Sequence, residues 1–447
     1  MFYLLENFKN FWSKKAIVDK GIEYTYQQLL NEIQQILSAE IIGKIQSGEV
    51  VSILSDYSFK SIALMLALFK NRNIIVPITT TIEENIKYKI KESFTNKIIR
   101  VLDSGWTLES MQSPNHIMIK ELQDSAHSGL ILFSSGSTGK PKAMIHNFDN
   151  IVNLYEGKKE KTMNIIVFLM FDHIGGLNTL LSTFSMGATI IIPESRNVDD
   201  VCKLIQDYKV KVLPSSPTFL NLMLMSKVYK RYDLSSLRMI TYGTEAMPES
   251  LLIRLKKVFN RTKLLQTFGT SETGIAGTNS KSSGSTFMRI EDSNLEYKII
   301  DNELWLKSKT QIIGYLNSTA QNFTDDGWFK TGDLVETTGD GYLRIIGRNN
   351  EIINVGGEKV LPAEIESVIL TIDEVEDVVI YGEDNPITGQ SVVADIVPVE
   401  KNIDARTAKK LIRMFCRNKI DNYKLPTKVN IVKKINICER FKKIRRK

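Results

Sequence analysis

The sequence has 447 residues, of which 43% are hydrophobic and 24% are charged, a composition typical of a globular protein with two or three domains. No apolar run approaches the roughly 18 residues that a membrane helix needs. Charged residues from Glu6 onward interrupt the first segment, so we expect neither a membrane span nor a signal peptide. Three scattered cysteines, Cys202, Cys416 and Cys438, lack the spacing of a zinc site. They indicate reduced thiols and therefore a cytoplasmic protein.

Charge is distributed unevenly along the chain. Residues 401–447 contain 17 Lys and Arg against 3 Asp and Glu, a net charge of +14, whereas residues 1–400 carry −7. A basic segment of this size can bind nucleic acid, an anionic surface, a phosphorylated cofactor or an acidic protein, or it can be a solvated face. Composition alone leaves these alternatives open.

Between Glu49 and Gln266, short β-branched runs alternate with helical patterns. The predicted strands are 50–54, 74–78, 165–169, 189–192, 210–213 and 237–242. Continuous apolar strands between helices are typical of parallel sheets that helices cover on both faces. Ligands bind such sheets beyond the carboxyl ends of the strands. Three loops, at 134–142, 242–246 and 268–272, follow predicted strands, and we expect them to converge on one crevice.

The pattern changes in the last third of the chain. From about Leu295, strand pairs with tight turns predict a small β-rich subdomain. After Asn350 a new α+β unit follows, with helices that begin at Pro362 and after Asp404. We therefore predict an α/β protein in which residues 1–348 form a large domain of helix-covered, mostly parallel sheets plus the small β subdomain. Residues 349–447 form a C-terminal α+β domain.

A glycine-rich and hydroxyl-rich loop follows the apolar run 129–133. Its glycines let backbone N–H groups approach anionic oxygens, and its hydroxyls and lysines add donors and charge, which makes it a candidate cradle for a polyphosphate. The glycine spacing, and Pro141 after the first lysine, exclude a Walker A loop. The candidate phosphate contacts are Ser134, Ser135, Gly136, Ser137, Thr138, Gly139, Lys140 and Lys142.

This loop resembles the phosphate-binding signature of the adenylate-forming superfamily, which includes acyl-CoA synthetases, aryl-CoA ligases and adenylation domains. Four further segments match the family, and the last of them is nearest to aryl-CoA and succinylbenzoyl-CoA ligases. They are 242–246, 266–274, 327–333 and 347–366. The resemblance implies two domains that close over ATP, with a mobile C-terminal domain.

The same resemblance implies a set of nucleotide contacts. Phe268 would stack on adenine, Asp333 would accept hydrogen bonds from the ribose hydroxyls, and Glu272 would ligate Mg²⁺, a hard cation that prefers carboxylate oxygens. Taken alone, Glu272 could equally be a helix-capping acid. The residues implied at ATP, besides the phosphate loop, are Thr244, Glu245, Phe268, Gly269, Thr270, Ser271, Asp333 and Arg348.

The C-terminal basic cluster resembles the Gly-Lys-Ile-x-Arg motif of the family and places the catalytic lysine at Lys443. The match is imperfect, because Lys442 replaces the glycine and the preceding residues 438–441 lack the usual Pro, Thr and Ser. Lys442 is the alternative. Lys142 of the phosphate loop would assist by offsetting charge on the departing pyrophosphate.

The acid substrate is expected near Phe171–Gly176. If His173 aligns with the histidine of acyl and aryl ligases, it lies beside the acid, together with Gly175. A slip of one residue would instead give Asp172 the role that aspartate has in amino-acid-activating domains, which is to hold the ammonium of the substrate. A histidine that is merely packed is the third interpretation.

The resemblance also implies a hinge at Asn350 and a pantetheine channel at Gly356 and Gly357. The expected cofactors are ATP, Mg²⁺ and CoA, or the phosphopantetheine of a carrier protein. The expected partners are a carboxylic acid and CoA or an acyl-carrier protein, with no nucleic acid. Three functions stay open: a CoA ligase, an adenylation enzyme that loads a carrier protein or an amine, and a catalytically silent nucleotide binder.

Overall fold

The computed structural model describes residues 3–134, 140–319, 321–400 and 403–445. The helices of these residues are α1 (Tyr3–Asn7), α2 (Tyr26–Ser38), α3 (Glu40–Gly43), α4 (Phe59–Lys70), α5 (Glu83–Glu92), α6 (Ile117–Asp124), α7 (Phe148–Asn153), α8 (Ile174–Ser185), α9 (Val198–Asp207), α10 (Pro217–Ser226), α11 (Glu249–Val258), α12 (Pro362–Ile369) and α13 (Ala405–Cys416). None of them has both the length and the apolar character needed to cross a bilayer.

The strands fall into three consecutive groups along the chain. The first group is β1 (Lys15–Asp19), β2 (Ile22–Thr25), β3 (Val50–Leu54), β4 (Ile74–Ile78), β5 (Lys97–Leu102), β6 (Gly105–Ser110), β7 (Gly129–Phe133), β8 (Ala143–Asn147), β9 (Asn164–Ile166), β10 (Thr189–Ile191), β11 (Val212–Ser215), β12 (Met239–Tyr242) and β13 (Lys263–Gln266). The second group is β14 (Phe268–Thr270), β15 (Gly274–Ala276), β16 (Thr278–Ser280), β17 (Met288–Ile290), β18 (Leu295–Ile300), β19 (Glu303–Ser308), β20 (Gly314–Tyr315), β21 (Phe329–Thr337) and β22 (Leu343–Arg348). The third group is β23 (Ile353–Val355), β24 (Glu358–Val360), β25 (Val375–Asn385), β26 (Gly389–Pro398) and β27 (Lys428–Ile431).

Two seven-stranded sheets form the large body. One has the order β13-β12-β11-β9-β10-β1-β2 and is parallel except for its β1–β2 pair. The other has the order β20-β8-β7-β4-β3-β5-β6, with a parallel centre and antiparallel edges. The helix-covered, mostly parallel sheets that the sequence predicts are therefore confirmed.

Helix α4 explains how the two sheets share one core. Its residues 61–69 are all buried, as expected for a helix that is apolar all round and covered on every side. Val51 of one sheet and Ile17 of the other belong to the same hydrophobic cluster as this helix. The capping box of Ser58 and Ser61 satisfies its first backbone N–H groups.

The small β subdomain is a six-stranded antiparallel sheet of order β16-β17-β22-β21-β19-β18. Its β18–β19 hairpin has the two-residue turn that the sequence predicts, and its second strand continues two residues beyond the predicted end at Leu306, to Ser308. Asp301 and Asn302 have φ of 50° and 63°, as a type I′ turn requires at both central positions.

The C-terminal unit has its own sheet and its own core. The sheet has the order β24-β23-β26-β25, with β27 along β26, and α12 and α13 begin where predicted, at Pro362 and after Asp404. Its hydrophobic cluster runs from Ile353 to Val429. The division of the chain at residue 349 and the mobility of this domain stay predictions. Residues 436–445, called the arm below, leave this domain and run between it and the large body.

Four predicted strands differ from the structure at their limits: the runs 189–192 and 237–242 are shorter, as Thr189–Ile191 and Met239–Tyr242, and two others differ more. The run predicted as 165–169 ends at Ile166, because the chain turns away there toward the start of α8, and the run predicted as 210–213 begins at Val212 and continues to Ser215. An apolar run shows that a segment is buried, but not where its ladder of hydrogen bonds ends.

Candidate active site

A cavity of about 1260 Å³ lies between the large body and the C-terminal domain. The segments after β12 and β13, together with β21 and β22, form one wall. Helix α12, strand β25 and the arm form the other. Six residues predicted at the nucleotide lie in its lining: Thr244, Glu245, Phe268, Gly269, Asp333 and Arg348.

Asp333 and Arg348 face each other across the β21–β22 pair. Arg348 Nε donates to Asp333 Oδ1 at 2.8 Å, while Oδ2 is buried and has no hydrogen-bond partner among the described residues. Burial raises the pKa of Asp333 although Arg348 opposes the shift. A buried acceptor without a donor is unfavourable by about 1–3 kcal/mol, so a ligand hydroxyl fits this oxygen.

The β14–β15 hairpin carries Phe268 into the cavity wall. Phe268 is 8% exposed, and a Cβ at Gly269 would lie 2.5 Å from the carbonyl oxygen of Gly274, so only glycine fits there. Thr270 Oγ1 accepts from the Thr273 N–H at 3.1 Å and closes the turn. This turn carries the half-buried Ser271 and the predicted metal ligand at 272.

Glu272 has a partner that the sequence did not reveal. The Tyr315 hydroxyl donates to Glu272 Oε1 at 3.0 Å, and Lys142 Nζ lies 5.1 Å from the centroid of the Tyr315 ring. Asp333 is the main cause of the raised pKa of Arg348, and Glu351 and Glu272 also contribute. Tyr315 lies on the two-residue strand β20, which is too short to leave a periodic signal.

The predicted phosphate loop is described only at its ends. The Ser134 N–H donates to the carbonyl oxygen of Lys142 at 3.0 Å and thereby joins the two ends. Lys140 is exposed. The remaining predicted contacts lie outside the described residues: Ser135, Gly136, Ser137, Thr138 and Gly139.

Glu245 contacts the arm. Its carboxylate accepts from Thr218 Oγ1 at 2.6 Å and from the backbone N–H of Lys443 at 2.8 Å. The neighbouring Thr244 has φ of 73°, and its buried Oγ1 has no partner in the part of the chain that the structure describes. The sequence predicted only backbone contacts to a nucleotide for this loop and missed its link to the C-terminal segment.

The two arm lysines point in different directions. Lys443 Nζ donates to Asp377 Oδ1 and to the carbonyl oxygen of Val378, both at 2.7 Å, on strand β25 of its own domain. Both lysines lie in the cavity lining, but Lys442 forms no ion pair within the described ranges. Its pKa is lowered by burial and by Arg348. The lysine predicted as catalytic is thus held by its own domain, and the alternative faces Arg348.

His173 caps helix α8. Its Nδ1 accepts from the Gly175 N–H at 3.0 Å, and burial, reinforced by Arg440 and Lys442, lowers the pKa of His173 to about 3. The ring is therefore neutral at pH 7. A Cβ at Gly175 would lie 2.8 Å from Leu169 Cδ1 and 3.1 Å from His173 Nδ1, so a larger residue would require these side chains to shift.

Asp172 is buried between two cations. Lys89 Nζ donates to its Oδ2 at 2.9 Å, and Arg440 Nη2 lies 3.8 Å from the same oxygen. Burial opposes ionisation, yet Lys89 and Arg440 hold the pKa of Asp172 below its usual value. Oδ1 is buried and has no partner among the residues described. Neither Lys89 nor Arg440 belongs to a motif, so only the three-dimensional structure reveals that they contact Asp172.

The predicted hinge and thiol channel lie at the edge of the site. Asn350 is exposed within a 3₁₀ turn and lines the cavity. Gly356 and Gly357, with φ of 60° and 92°, form the exposed turn between β23 and β24. The turn geometry accounts for both glycines, and the described lining of the cavity does not include them.

Comparisons with known proteins agree with this architecture. The family model for AMP-binding enzymes matches residues 5–311, and the model for their C-terminal domain matches residues 364–442. The chain therefore belongs to the AMP-binding enzyme family.

The relatives named here are ligases. The indoleacetate–CoA ligase of Aromatoleum aromaticum is 30% identical over 67% of this chain, but the match spans only 62% of that relative. A 2-succinylbenzoate–CoA ligase of Bacillus licheniformis is 25% identical over 94% of both chains. Among solved structures, an anthranilate–CoA ligase in complex with anthranoyl-AMP superposes with a TM-score of 0.81 at 20% identity, covering 97% of this chain and 93% of the other. This superposition shows the shared fold.

Proposed function

We propose that the protein activates a carboxylic acid with ATP as an acyl-adenylate, releases pyrophosphate, and transfers the acyl group to the thiol of CoA. The observation that carries the proposal is the cleft itself. Within it Phe268, the Asp333–Arg348 pair and Lys442 surround one cavity of about 1260 Å³. The adenylate held by the anthranilate ligase of similar fold supports the first step.

The chemistry needs no general base. A carboxylic acid is ionised at pH 7, so its oxygen attacks the α-phosphorus directly, and the bond to the β-phosphate oxygen breaks as pyrophosphate leaves with the electron pair. The task of the protein is to align the reactants and to offset charge. Asp333 Oδ2 would accept from a ribose hydroxyl, and Phe268 would pack against the base.

Within this proposal Lys442, rather than Lys443, bridges the carboxylate and the phosphate. Phe441 has φ of 52°, the left-handed conformation that glycine adopts most readily, so the glycine position of the family motif corresponds to Phe441 and its lysine to Lys442. Lys443 would have to leave Asp377, and breaking a buried pair typically destabilises a protein by about 3–5 kcal/mol.

The residues around Glu272 fit Mg²⁺ bound through phosphates. Within residues 3–134, 140–319, 321–400 and 403–445, no group of three or more His, Cys, Asp or Glu could hold a metal ion. The chain would therefore supply one carboxylate, Glu272, and the nucleotide would supply further oxygens, as is common for Mg²⁺. Tyr315 orients the carboxylate, and Lys142 adds charge nearby.

CoA is the proposed acceptor because the curated relatives named above are CoA ligases. The Gly356–Gly357 turn would line the thiol channel after the C-terminal domain rotates about Asn350. Loading of a carrier protein or an amine is the alternative acceptor chemistry. The three cysteines are free thiols, which supports the proposed cytoplasmic location.

An amino acid substrate is disfavoured by the surroundings of Asp172. Lys89 and Arg440 already offset the negative charge of its carboxylate, which leaves little attraction for the ammonium group of an amino acid. The acid is therefore expected to lie beside the neutral His173 and to lack an α-amino group.

Pyrophosphate release tests the proposal. The purified protein with Mg²⁺-ATP is assayed against aryl, fatty and amino acids, and then for thioester formation with CoA. Acid-dependent release followed by a CoA thioester supports the proposal, and release without a thioester favours a carrier protein or an amine as acceptor. No release with any acid supports a silent nucleotide binder.

A further inference from the structure

The side chain of Phe441 leaves its own domain and enters the large body. Its ring centroid lies 5.1 Å from that of Phe168 and 5.4 Å from that of Phe219, spacings typical of packed aromatic pairs. Its carbonyl oxygen accepts from Ser216 Oγ at 2.9 Å. The ring packs against the hydrophobic cluster of the body, which contains both of these phenylalanines.

The residue before Phe441 fixes the arm from a second direction. Arg440 Nη2 donates to the carbonyl oxygen of Phe133 at 3.2 Å and lies 3.8 Å from Asp172 Oδ2. Phe133 is the last residue of β7, directly before the phosphate loop. Contacts on two sides therefore set where the Phe441 ring lies, even though its backbone has the disfavoured left-handed conformation.

A cavity of only about 10 Å³ beside His173 has this part of the arm as one wall, which is room for about one water molecule. Thr244 lines both this cavity and the large nucleotide cavity, so the two spaces adjoin there. An acid whose carboxylate reaches the α-phosphate and whose other end extends toward His173 would meet the Phe441 ring there, because the cavity is too small to hold the acid while the ring is in place. Its lining includes Phe168, Leu169, His173 and Thr244 of the body and Arg440 and Phe441 of the arm.

We propose that Phe441 is a specificity-determining residue, and that its ring forms the apolar wall of the acid pocket and limits the size of the acid. The inference rests on the proposed function. It means that the C-terminal domain selects the acid as well as delivering Lys442, because the pocket has its full wall only when the arm lies in the body. Removing the ring should make room for a longer acid, and each additional buried methylene then improves binding roughly four-fold.

The test compares Phe441→Ala and Phe441→Gly with the wild type on straight-chain acids from acetate to dodecanoate and on benzoate, phenylacetate and 3-phenylpropionate. The readout is kcat/KM from pyrophosphate release. Both variants are expected to shift the preferred acid toward longer members by at least ten-fold in the ratio of kcat/KM. Phe441→Gly also relieves the left-handed backbone, so a shift shared by both variants arises from the ring.

Phe259→Ala is the matched control. Phe259 belongs to the same hydrophobic cluster but lines neither cavity, so its loss should lower the melting temperature without changing the order of preferred acids. If the wild type is active but both Phe441 variants lose activity equally on all acids, as packing damage alone predicts, the inference is refuted. The proposed function is then unaffected. A wild type that releases no pyrophosphate with any acid would refute both.

Discussion

The two walls of the nucleotide cavity differ in how their residues are positioned. On the body side, Asp333 and Arg348 lie on neighbouring strands whose register places them opposite each other. On the other side, two successive lysines of the arm both line the cavity, but Lys443 is paired with Asp377 of β25, whereas Lys442 has no ion-pair partner among the described residues. A ladder of hydrogen bonds fixes side-chain direction over many residues. In the arm, a shift of one residue separates the lysine proposed as catalytic, Lys442, from the lysine that is paired with Asp377.

Replacing each of the two lysines with alanine, one at a time, tests this contrast most strongly. Lys442→Ala should lower the rate of acid-dependent pyrophosphate release by roughly 10²–10³, the typical effect of removing one preorganised donor from a transition state. Stopped-flow measurement of the first turnover, together with thioester formation from a supplied acyl-adenylate, checks whether only the first step is lost.

Lys443→Ala is the partner experiment. It leaves Asp377 buried without its cation, so we expect a loss of stability of about 3–5 kcal/mol, read from urea unfolding. If Lys443→Ala instead abolishes adenylation at unchanged stability while Lys442→Ala stays active, the register that the sequence first indicated is the right one.

The next largest effect is expected at Glu272, on the body wall. Glu272→Gln removes the only anion proposed to hold Mg²⁺, and we expect the concentration of Mg²⁺ at half-maximal rate to rise more than ten-fold. Tyr315→Phe, which removes one hydrogen bond worth about 0.5–1.5 kcal/mol, should raise it only several-fold. Unchanged Mg²⁺ dependence in both variants would show that the carboxylate serves only the turn.

Asp333, on the same wall, should make the stability of the protein depend on pH. Its pKa is raised in the folded protein by burial, so its contribution to stability is fully present below the pKa of an unfolded aspartate, near 3.9, and is lost as pH rises through the higher folded value. The difference in unfolding free energy between the wild type and Asp333→Asn should therefore change between the unfolded pKa of Asp333 and its higher folded pKa. Above the folded pKa this difference should be independent of pH. The variant should also raise the KM for ATP by about ten-fold, and a difference that is flat at every pH would contradict the assignment.

The smallest effect is expected on the outer face of the C-terminal domain. Lys433 and Lys434 are exposed, whereas Arg445 is already paired with Glu366 at 3.0 Å, so only the lysines remain available to a phosphorylated acceptor. Lys433→Glu with Lys434→Glu should raise the KM for CoA several-fold, with Lys410→Glu on α13 as the control. A change in carrier-protein loading alone, strongly dependent on salt, would favour the alternative acceptor. Arg446 lies outside the described residues.

The sequence by itself determined the fold class, the hairpin turn at 301–302, the starts of α12 and α13, and the segments that meet at the nucleotide cavity. These features depend on local periodicity, turn chemistry and strand ends, which neighbouring residues record. The motif at 327–333 correctly indicated that Asp333 would be a cavity residue. It could not show that Oδ2 would be left without a donor.

Only the tertiary structure decided which arm lysine is ion-paired within its own domain, which partner Glu272 has, and what surrounds Asp172. Tyr315 lies 43 residues from Glu272 in sequence, Lys89 lies 83 residues from Asp172, and the carbonyl oxygen of Phe133 lies 307 residues from Arg440. No local pattern records contacts over such separations, because each depends on how whole sheets and domains pack. The direction of Lys442 follows from the left-handed turn at Phe441, which the docking of its ring between Phe168 and Phe219 holds in place.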